Sequence, residues 1–450
     1  MSAVAATVQT NRHLLRILGL GFGVAVVVGD MVGVGILRTT GPTAGRLGEP
    51  VLIYLVWGCI GVYVLMAVNT LAELATAIPK AGGPYVFVRR GFGDYFGFVC
   101  GWSDFGIQTI SIAGLTIAGS EFLAQAMPPL AGHENLLAPG LIVLLAALNS
   151  LGLRTSSTVQ QLMSLLKVLL LAVLVVAAFT YSGKSTSAGV TMASHGASIV
   201  AIIVSMQIVL EVYGGYNAGC YFMEETTEPG RTVPRSLLYG VLLVMAVYLA
   251  VNVALLHVLS PEEMGGSKLA AADALARVYG PAARTGVALL AFVSAIGIVN
   301  TGMLLAPRIL YGMSRDGLFL GFGTFVTRQG VPLKALWLSA GIAAIFSLLS
   351  SFEILFAATA FLTAFLDLLC NGSLFVLRRR EPNLPRPYRA FGYPWIPSCV
   401  LLTAAALLTA FLFGNPRPSL LAVGVLVMSY PLFTLMHRRR TMQRAQRAST

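Results

Sequence analysis

Charge is what this sequence has least of. Asp, Glu, Lys and Arg make up 11% of its 450 residues, where soluble domains average about 25%. A globular surface needs that charge to stay dissolved, so a large soluble core does not explain the deficit. Four stretches, 236–261, 285–307, 390–416 and 418–437, carry none of these residues. Cysteine is sparse too. Cys59, Cys100, Cys220, Cys370 and Cys399 are scattered without CxxC spacing, which speaks against a disulfide framework or a thiolate metal site. His13, His133, His195, His257 and His437 form no ligand pattern, so neither a metal centre nor another cofactor is expected. The sequence has no Walker motif, and ATP hydrolysis by the chain is not expected. The first hydrophobic stretch is too long for a signal h-region and lacks a small-residue cleavage site, so no cleavable signal is expected.

What is abundant is apolar: 56% of the residues are hydrophobic. At about 1.5 Å per helical residue, each charge-free run is long enough to cross about 30 Å of hydrocarbon. Only helices and closed barrels satisfy their backbone in lipid, and continuous rather than alternating apolar runs argue against a barrel. The expected fold is therefore all-α and membrane-integral. Twelve spans are predicted, at 15–45, 50–78, 93–127, 136–153, 157–181, 198–222, 234–259, 285–313, 333–350, 352–377, 396–413 and 418–436. With both termini cytoplasmic, seven of the 30 basic residues fall outside (Arg38, Arg46, Lys184, Lys268, Arg277, Arg284 and Arg417). Lys167 lies within a span and the other 22 fall inside, as the positive-inside rule asks. The net charge of +12 then reads as topology and needs no nucleic-acid partner, while the basic tail can touch anionic membrane lipid.

Two spans differ from the rest. Span 1 is interrupted by Gly33-Val34-Gly35 and span 6 by Gly214-Gly215. Five spans start at each interrupted helix, so the two units are inverted relative to one another. The expected organisation is a cytoplasmic segment 1–13, repeats 14–181 and 198–377, spans 11 and 12 at 396–436, and a basic cytoplasmic tail 437–450. Glycine is common in membrane helices because it allows close packing, and this chain has 47. Paired interruptions at matching positions say more, because they point to a transporter's midplane site.

Unwinding a helix at mid-membrane is tolerable only where the backbone lines a cavity or binds something. The half-helix beginning near Ile36 offers the amides of Val34, Gly35 and Ile36 to a carboxylate. The half-helices ending near Asp30 and Tyr213 offer carbonyls to an ammonium group. A zwitterionic amino acid matches both.

Val28-Gly29-Asp30-Met31-Val32-Gly33-Val34-Gly35-Ile36-Leu37 resembles the first-span signature of the amino acid–polyamine–organocation (APC) superfamily. Ala81-Gly82-Gly83-Pro84-Tyr85-Val86, Tyr213-Gly214-Gly215-Tyr216 through Arg235, Tyr311 to Gly317 and Arg386-Pro387-Tyr388-Arg389 are similar to later family segments, in the right order. The resemblance implies a five-plus-five inverted repeat with spans 1 and 6 broken at the site, and alternating access. It implies that the span 1 break holds the substrate carboxylate. Carbonyls around Gly29–Met31 and Glu211–Tyr213 would hold the amine, with Tyr216 at the pocket wall. It also implies that Lys167 stands where other carriers hold sodium, bracing span 1 against span 8; the alternative is snorkelling towards the cytoplasmic face.

Charges inside spans are costly. Asp30 could bind a substrate amine, pair with Lys167 or accept a proton; Glu211 could act similarly. Alternatively, either acid caps a freed helix end or pairs with a neighbour. Asp104 and Gln108 share a helix face and, with Asp367, are expected in helix–helix hydrogen bonds. Glu73, Glu224, Glu225 and Arg315-Asp316 are expected in gate or loop ion pairs. The leading expectation is a secondary, sodium-independent amino acid transporter of the cell membrane, either exchanging or proton-coupled. A polyamine or cationic amino acid carrier is the alternative within that class. A membrane-embedded enzyme would need clustered ligands and a channel a repeated filter loop, and the sequence has neither. A homodimer stays open.

Overall fold

The structure, a computed structural model, describes residues 19–80, 82–151, 156–181, 197–223, 226–327 and 330–448. The expectations for the N-terminal segment 1–13, Ala81, Glu224 and Glu225 fall outside these residues, as do those for the side chains of the tail. The described residues form helices and no strand. In chain order these are α1 (Leu20–Met31), α2 (Val34–Leu47), α3 (Pro50–Ala77), α4 (Pro84–Phe92), α5 (Asp94–Ala126) and α6 (Glu134–Ser150). There follow α7 (Ser156–Phe179), α8 (Ile199–Val212), α9 (Pro229–Val258), α10 (Pro261–Gly265) and α11 (Ala270–Tyr279). Last come α12 (Pro281–Arg315), α13 (Leu333–Leu349), α14 (Phe352–Arg380), α15 (Trp395–Gly414) and α16 (Pro416–Ala448). Proline opens α3, α4, α9, α10 and α12, where its missing N–H would have no helical partner anyway.

Seven of these helices, α3, α5, α9, α12, α14, α15 and α16, are long and apolar enough to cross a membrane. The pair α1–α2 passes the same test together and bends by 43° at its break. Shorter apolar helices, α6, α8, α13 and the part of α7 from Lys167 onward, fill the remaining predicted ranges. Large apolar side chains stand on the outer surface, among them Val173, Val176, Leu349 and Phe413, as a lipid-facing belt requires and a water-facing one does not. The connection between the predicted spans 234–259 and 285–313 folds into α10 and α11. Ser260 and Glu263 form a reciprocal capping box there, and Arg277 holds the Glu263 carboxyl below the usual carboxylate range.

The long helix α5 is the central post, packed against α12, α14, α4, α6 and α13. Buried ions tie the bundle at each end. At one end Arg38 of α2 reaches Glu121 of α5 at 2.9 Å and Glu353 of α14 at 2.8 Å. Lys268 adds a second cation on Glu121 at 3.0 Å. At the opposite end Glu73 of α3 is fully buried; it accepts from Arg378 of α14 and from the Ala390 N–H at 2.6 Å, and forms an ion pair with Arg386 at 3.2 Å. Asn69, one turn earlier, holds the same 388–391 segment through Tyr388 and Phe391. The expected ion pairs of Glu73 and Asp316 are therefore present, the latter with Arg89 at 3.1 Å.

Removing the Glu73 carboxylate strands two arginines. Glu73→Ala is expected to cost about 3–5 kcal/mol, whereas Glu381→Ala, which breaks the exposed Arg90–Glu381 pair, should cost less than about 1 kcal/mol. Thermal unfolding of the two variants in detergent checks the ranking, and equal losses would refute it.

Candidate functional site

Both predicted interruptions are physical breaks. α1 ends at Met31, Val32 and Gly33 are extended, and α2 restarts at Val34. α8 ends at Val212, residues 213–217 turn, and the chain continues as a short 3-10 helix, Ala218–Phe222. The two freed ends lie side by side. The buried Tyr248 hydroxyl of α9 stands 2.6 Å from the Met31 carbonyl and 3.1 Å from the Val212 carbonyl. Both breaks leave little room for a side chain, and at the second the backbone itself favours glycine. A Cβ on Gly33 would overlap Ile298 Cδ1 of α12. Gly215 has φ +89°, and a Cβ there would stand 2.8 Å from Asp30 Oδ2.

Between the breaks lies a cavity of about 90 Å³. A water needs roughly 10–15 Å³ of such space, so there is room for a small solute. Residues of both breaks, together with α5, α12 and α14, form its wall. Its polar side chains include three acids, Asp30, Asp104 and Glu211, together with Gln108, Ser111, Asn217 and Thr363. The first turn of α2 points its unpaired amides at the break, giving an anion-favouring pole.

A family model described as amino acid permease matches residues 23–436. The chain belongs to that family. The permease is 24% identical to the serine/threonine exchanger SteT of Bacillus subtilis over 442 residues, covering 96% of this chain and 99% of that one. It is 26% identical to the mouse b(0,+)-type amino acid transporter 1 over 439 residues, covering 95% of this chain and 89% of that one. It is also 26% identical to the mouse Asc-type amino acid transporter 1, covering 94% and 81% respectively. These relatives are amino acid transporters of the APC superfamily, and the permease is a multi-pass membrane protein.

Eight of the residues singled out from sequence line the permease cavity: Asp30, Met31, Gly33 and Gly35 from the first break, and Glu211, Gly214, Gly215 and Tyr216 from the second. Val34 and Ile36 do not, since their side chains are fully buried in packing. Their amides belong to the first turn of α2, where the helix supplies no acceptors. Tyr213 also turns away, with its ring packed between Trp57 and Tyr248 and its hydroxyl donating to the Trp57 carbonyl at 3.2 Å. Lys167 lies outside the wall. It is 5% exposed and its Nζ donates to the Gly29 carbonyl at 3.3 Å. A Cβ on Gly297 of α12 would sit 3.8 Å from Nζ. Lys167 thus spans α7, α1 and α12 rather than snorkelling.

Among the described residues Asp30 and Lys167 form no ion pair, and the Asp30 carboxylate accepts no hydrogen bond. Glu211 accepts from Ser111 at 3.2 Å and Thr363 at 3.4 Å. Asp367 is held by Tyr216 and by Tyr63 at 2.8 Å, so helix–helix bonding is its role. Asp104 accepts from Tyr221 at 2.6 Å, yet Asp104 and Gln108 also line the cavity. The sequence alone points to packing for both and does not single out Ser111. A signal for all three exists, because Asp104, Gln108 and Ser111 at i, i+4 and i+7 form a polar stripe on α5. Ile298, Phe356 and Thr363 carry no such signal.

Tyr248→Phe removes the hydroxyl common to both freed helix ends. The expected loss is about 1–3 kcal/mol, the cost of leaving a buried carbonyl unsatisfied, read as a lower melting temperature in detergent. An unchanged melting temperature would show that the two ends do not depend on this tie.

Proposed function

We propose that this permease is a secondary active transporter that carries amino acids across the cytoplasmic membrane by alternating access, without sodium. The observation that carries the reading is the pair of broken helices facing one small cavity, in a chain whose relatives include amino acid transporters and an exchanger. The inferred threading has twelve spans with both termini cytoplasmic, and inverted repeats at 14–181 and 198–377. In that threading the α1–α2 pair and α8 with its 3-10 continuation are the equivalent broken spans.

The inferred roles follow from polarity. The amides of Val34, Gly35 and Ile36 take the substrate carboxylate. The Met31 and Val212 carbonyls already meet Tyr248, but each carbonyl has two lone pairs, so a substrate ammonium can share them. Lys167 supplies a fixed positive charge against α1, where a coupling cation would otherwise hold α1 to α12. The Arg38 cluster is the inferred outer latch and the Glu73 cluster an inner anchor. Exchange is the favoured mode, because no group in this assignment requires an external ion and the first relative above is an exchanger.

Uptake of a radiolabelled amino acid panel into proteoliposomes tests the assignment. Saturable uptake, faster into vesicles preloaded with unlabelled amino acid and unchanged when choline replaces sodium, is the expected outcome. Absence of saturable uptake of any amine-bearing solute would refute transport. Sodium-dependent uptake would refute the role given to Lys167.

A further inference from the structure

The cavity holds more carboxyl groups than a neutral amino acid calls for. Asp30 is the penultimate residue of α1 and Glu211 the penultimate residue of α8, so the two acids stand at matching places before the two breaks. A helix C-terminus carries a partial negative charge of about half a unit, so both acids sit where the helix dipole disfavours them. Capping does not explain them, because free amides lie at the other end of a helix.

Their partners do not neutralise them equally. Lys167 donates to the carbonyl of Gly29, next to Asp30, and brings a positive charge to that side. Glu211 is only 8% exposed, and its two oxygens receive the hydroxyls of Ser111 and Thr363. No Lys or Arg pairs with it among the described residues. The hydroxyls fix the carboxylate's orientation at the cavity wall without supplying charge. The buried acids that close the two ends of the bundle have cations: Glu73 has two arginines and Glu121 has Arg38 and Lys268. A buried carboxylate lacking a counter-charge is costly, and the open space beside Glu211 is where a ligand would bring one.

We propose that Glu211 determines specificity by pairing with a positive group on the substrate side chain, so that the site prefers short cationic amino acids to neutral ones of the same shape. This rests on the transport reading above and names its substrate class. The α2 amides and the half-helix carbonyls hold the amino acid backbone, and Glu211, with Ser111 and Thr363 behind it, reads the side chain. The small cavity suits a short arm, two or three carbons ending in an ammonium group.

The test uses the full chain, purified and reconstituted, with two isosteric pairs as competitors. 2,4-Diaminobutyrate is compared with norvaline and ornithine with norleucine. The unmodified protein should bind each cationic member at least tenfold more tightly than its neutral isostere. Glu211→Gln keeps the shape, with one hydroxyl still donating to the amide oxygen and the other turning to accept from the amide NH2. It should weaken the cationic members by about 30-fold or more, as for a buried charge pair losing one partner, while norvaline changes less than threefold. Retained norvaline binding shows that the variant folds. Should it not fold, Glu211→Asp, which keeps the charge, must retain the cation preference. Equal binding within each pair by the unmodified protein overturns the proposal while leaving amino acid transport intact. The proposal also fails if Glu211→Gln weakens both members equally, or if it keeps the preference and abolishes only the response of uptake to a pH gradient. That last result would place a proton on Glu211. No saturable binding of either pair overturns both this proposal and the transport reading.

Discussion

Tyr248 stands where two helices stop. Inside an apolar bundle, freed carbonyls have no water to turn to, and each buried unsatisfied group costs on the order of 1–3 kcal/mol. One hydroxyl lies against the last carbonyls of both α1 and α8, and the ring beneath it is wedged against Trp57 and Tyr213. A single proton cannot fully satisfy two acceptors, so the tie holds the ends together while leaving acceptor capacity unused. That residual capacity distinguishes a binding surface from a finished core. The cavity, the amides of α2 and the approach of Asp30 to Gly215 all follow from holding these two ends together.

The ionic groups divide along the same line. Arg38 and Glu73 are buried, and each meets two opposite charges, so neither is left uncompensated. Such clusters offset their desolvation only when geometry and partners are complete, and here they are. Asp367 is completed by two tyrosine hydroxyls. Glu211 also receives two hydroxyls but, unlike Asp367, lies on the cavity wall, and Asp30 beside it has neither cation nor hydroxyl within hydrogen-bond reach among the described residues. The partners of each buried acid, taken with its place on or off the cavity wall, therefore separate groups that hold the bundle from groups that await something.

Much of this is legible in the residues. The runs without charge mark the long helices, and two glycine interruptions locate both breaks to within a residue or two, because glycine there answers a local steric demand. The acids before each break are conspicuous for being charged at all. Tyr248 is not visible, since a tyrosine in an apolar run looks the same whether it faces lipid or two carbonyls. Arg38 reads as a loop-side charge that counts towards topology, because Glu121 and Glu353 lie 83 and 315 residues away. The Tyr213 ring is hidden for a related reason: adjacency to the break along the chain does not fix which way it turns. The stripe Asp104, Gln108 and Ser111 is readable, but choosing between packing and lining needs the neighbouring helices.

The geometry of α2 joins the site to the latch. Its 14 residues are separated from α1 by the extended Val32–Gly33 link, across which the regular helical ladder does not run. On the transport reading a carboxylate sits on the first turn, at Val34 to Ile36. Arg38, one turn further along, is clasped to α5 and α14. A ligand that draws the start of α2 into the cavity must therefore move Arg38 relative to Glu121 and Glu353, or be resisted by them. Binding and latch strain are coupled through one short rigid element. A hinge of two residues suffices for that coupling, because the bend lies between α1, fixed by Lys167 and Tyr248, and α2, fixed by Arg38. The free amides at the head of α2 are where a substrate's binding energy would enter.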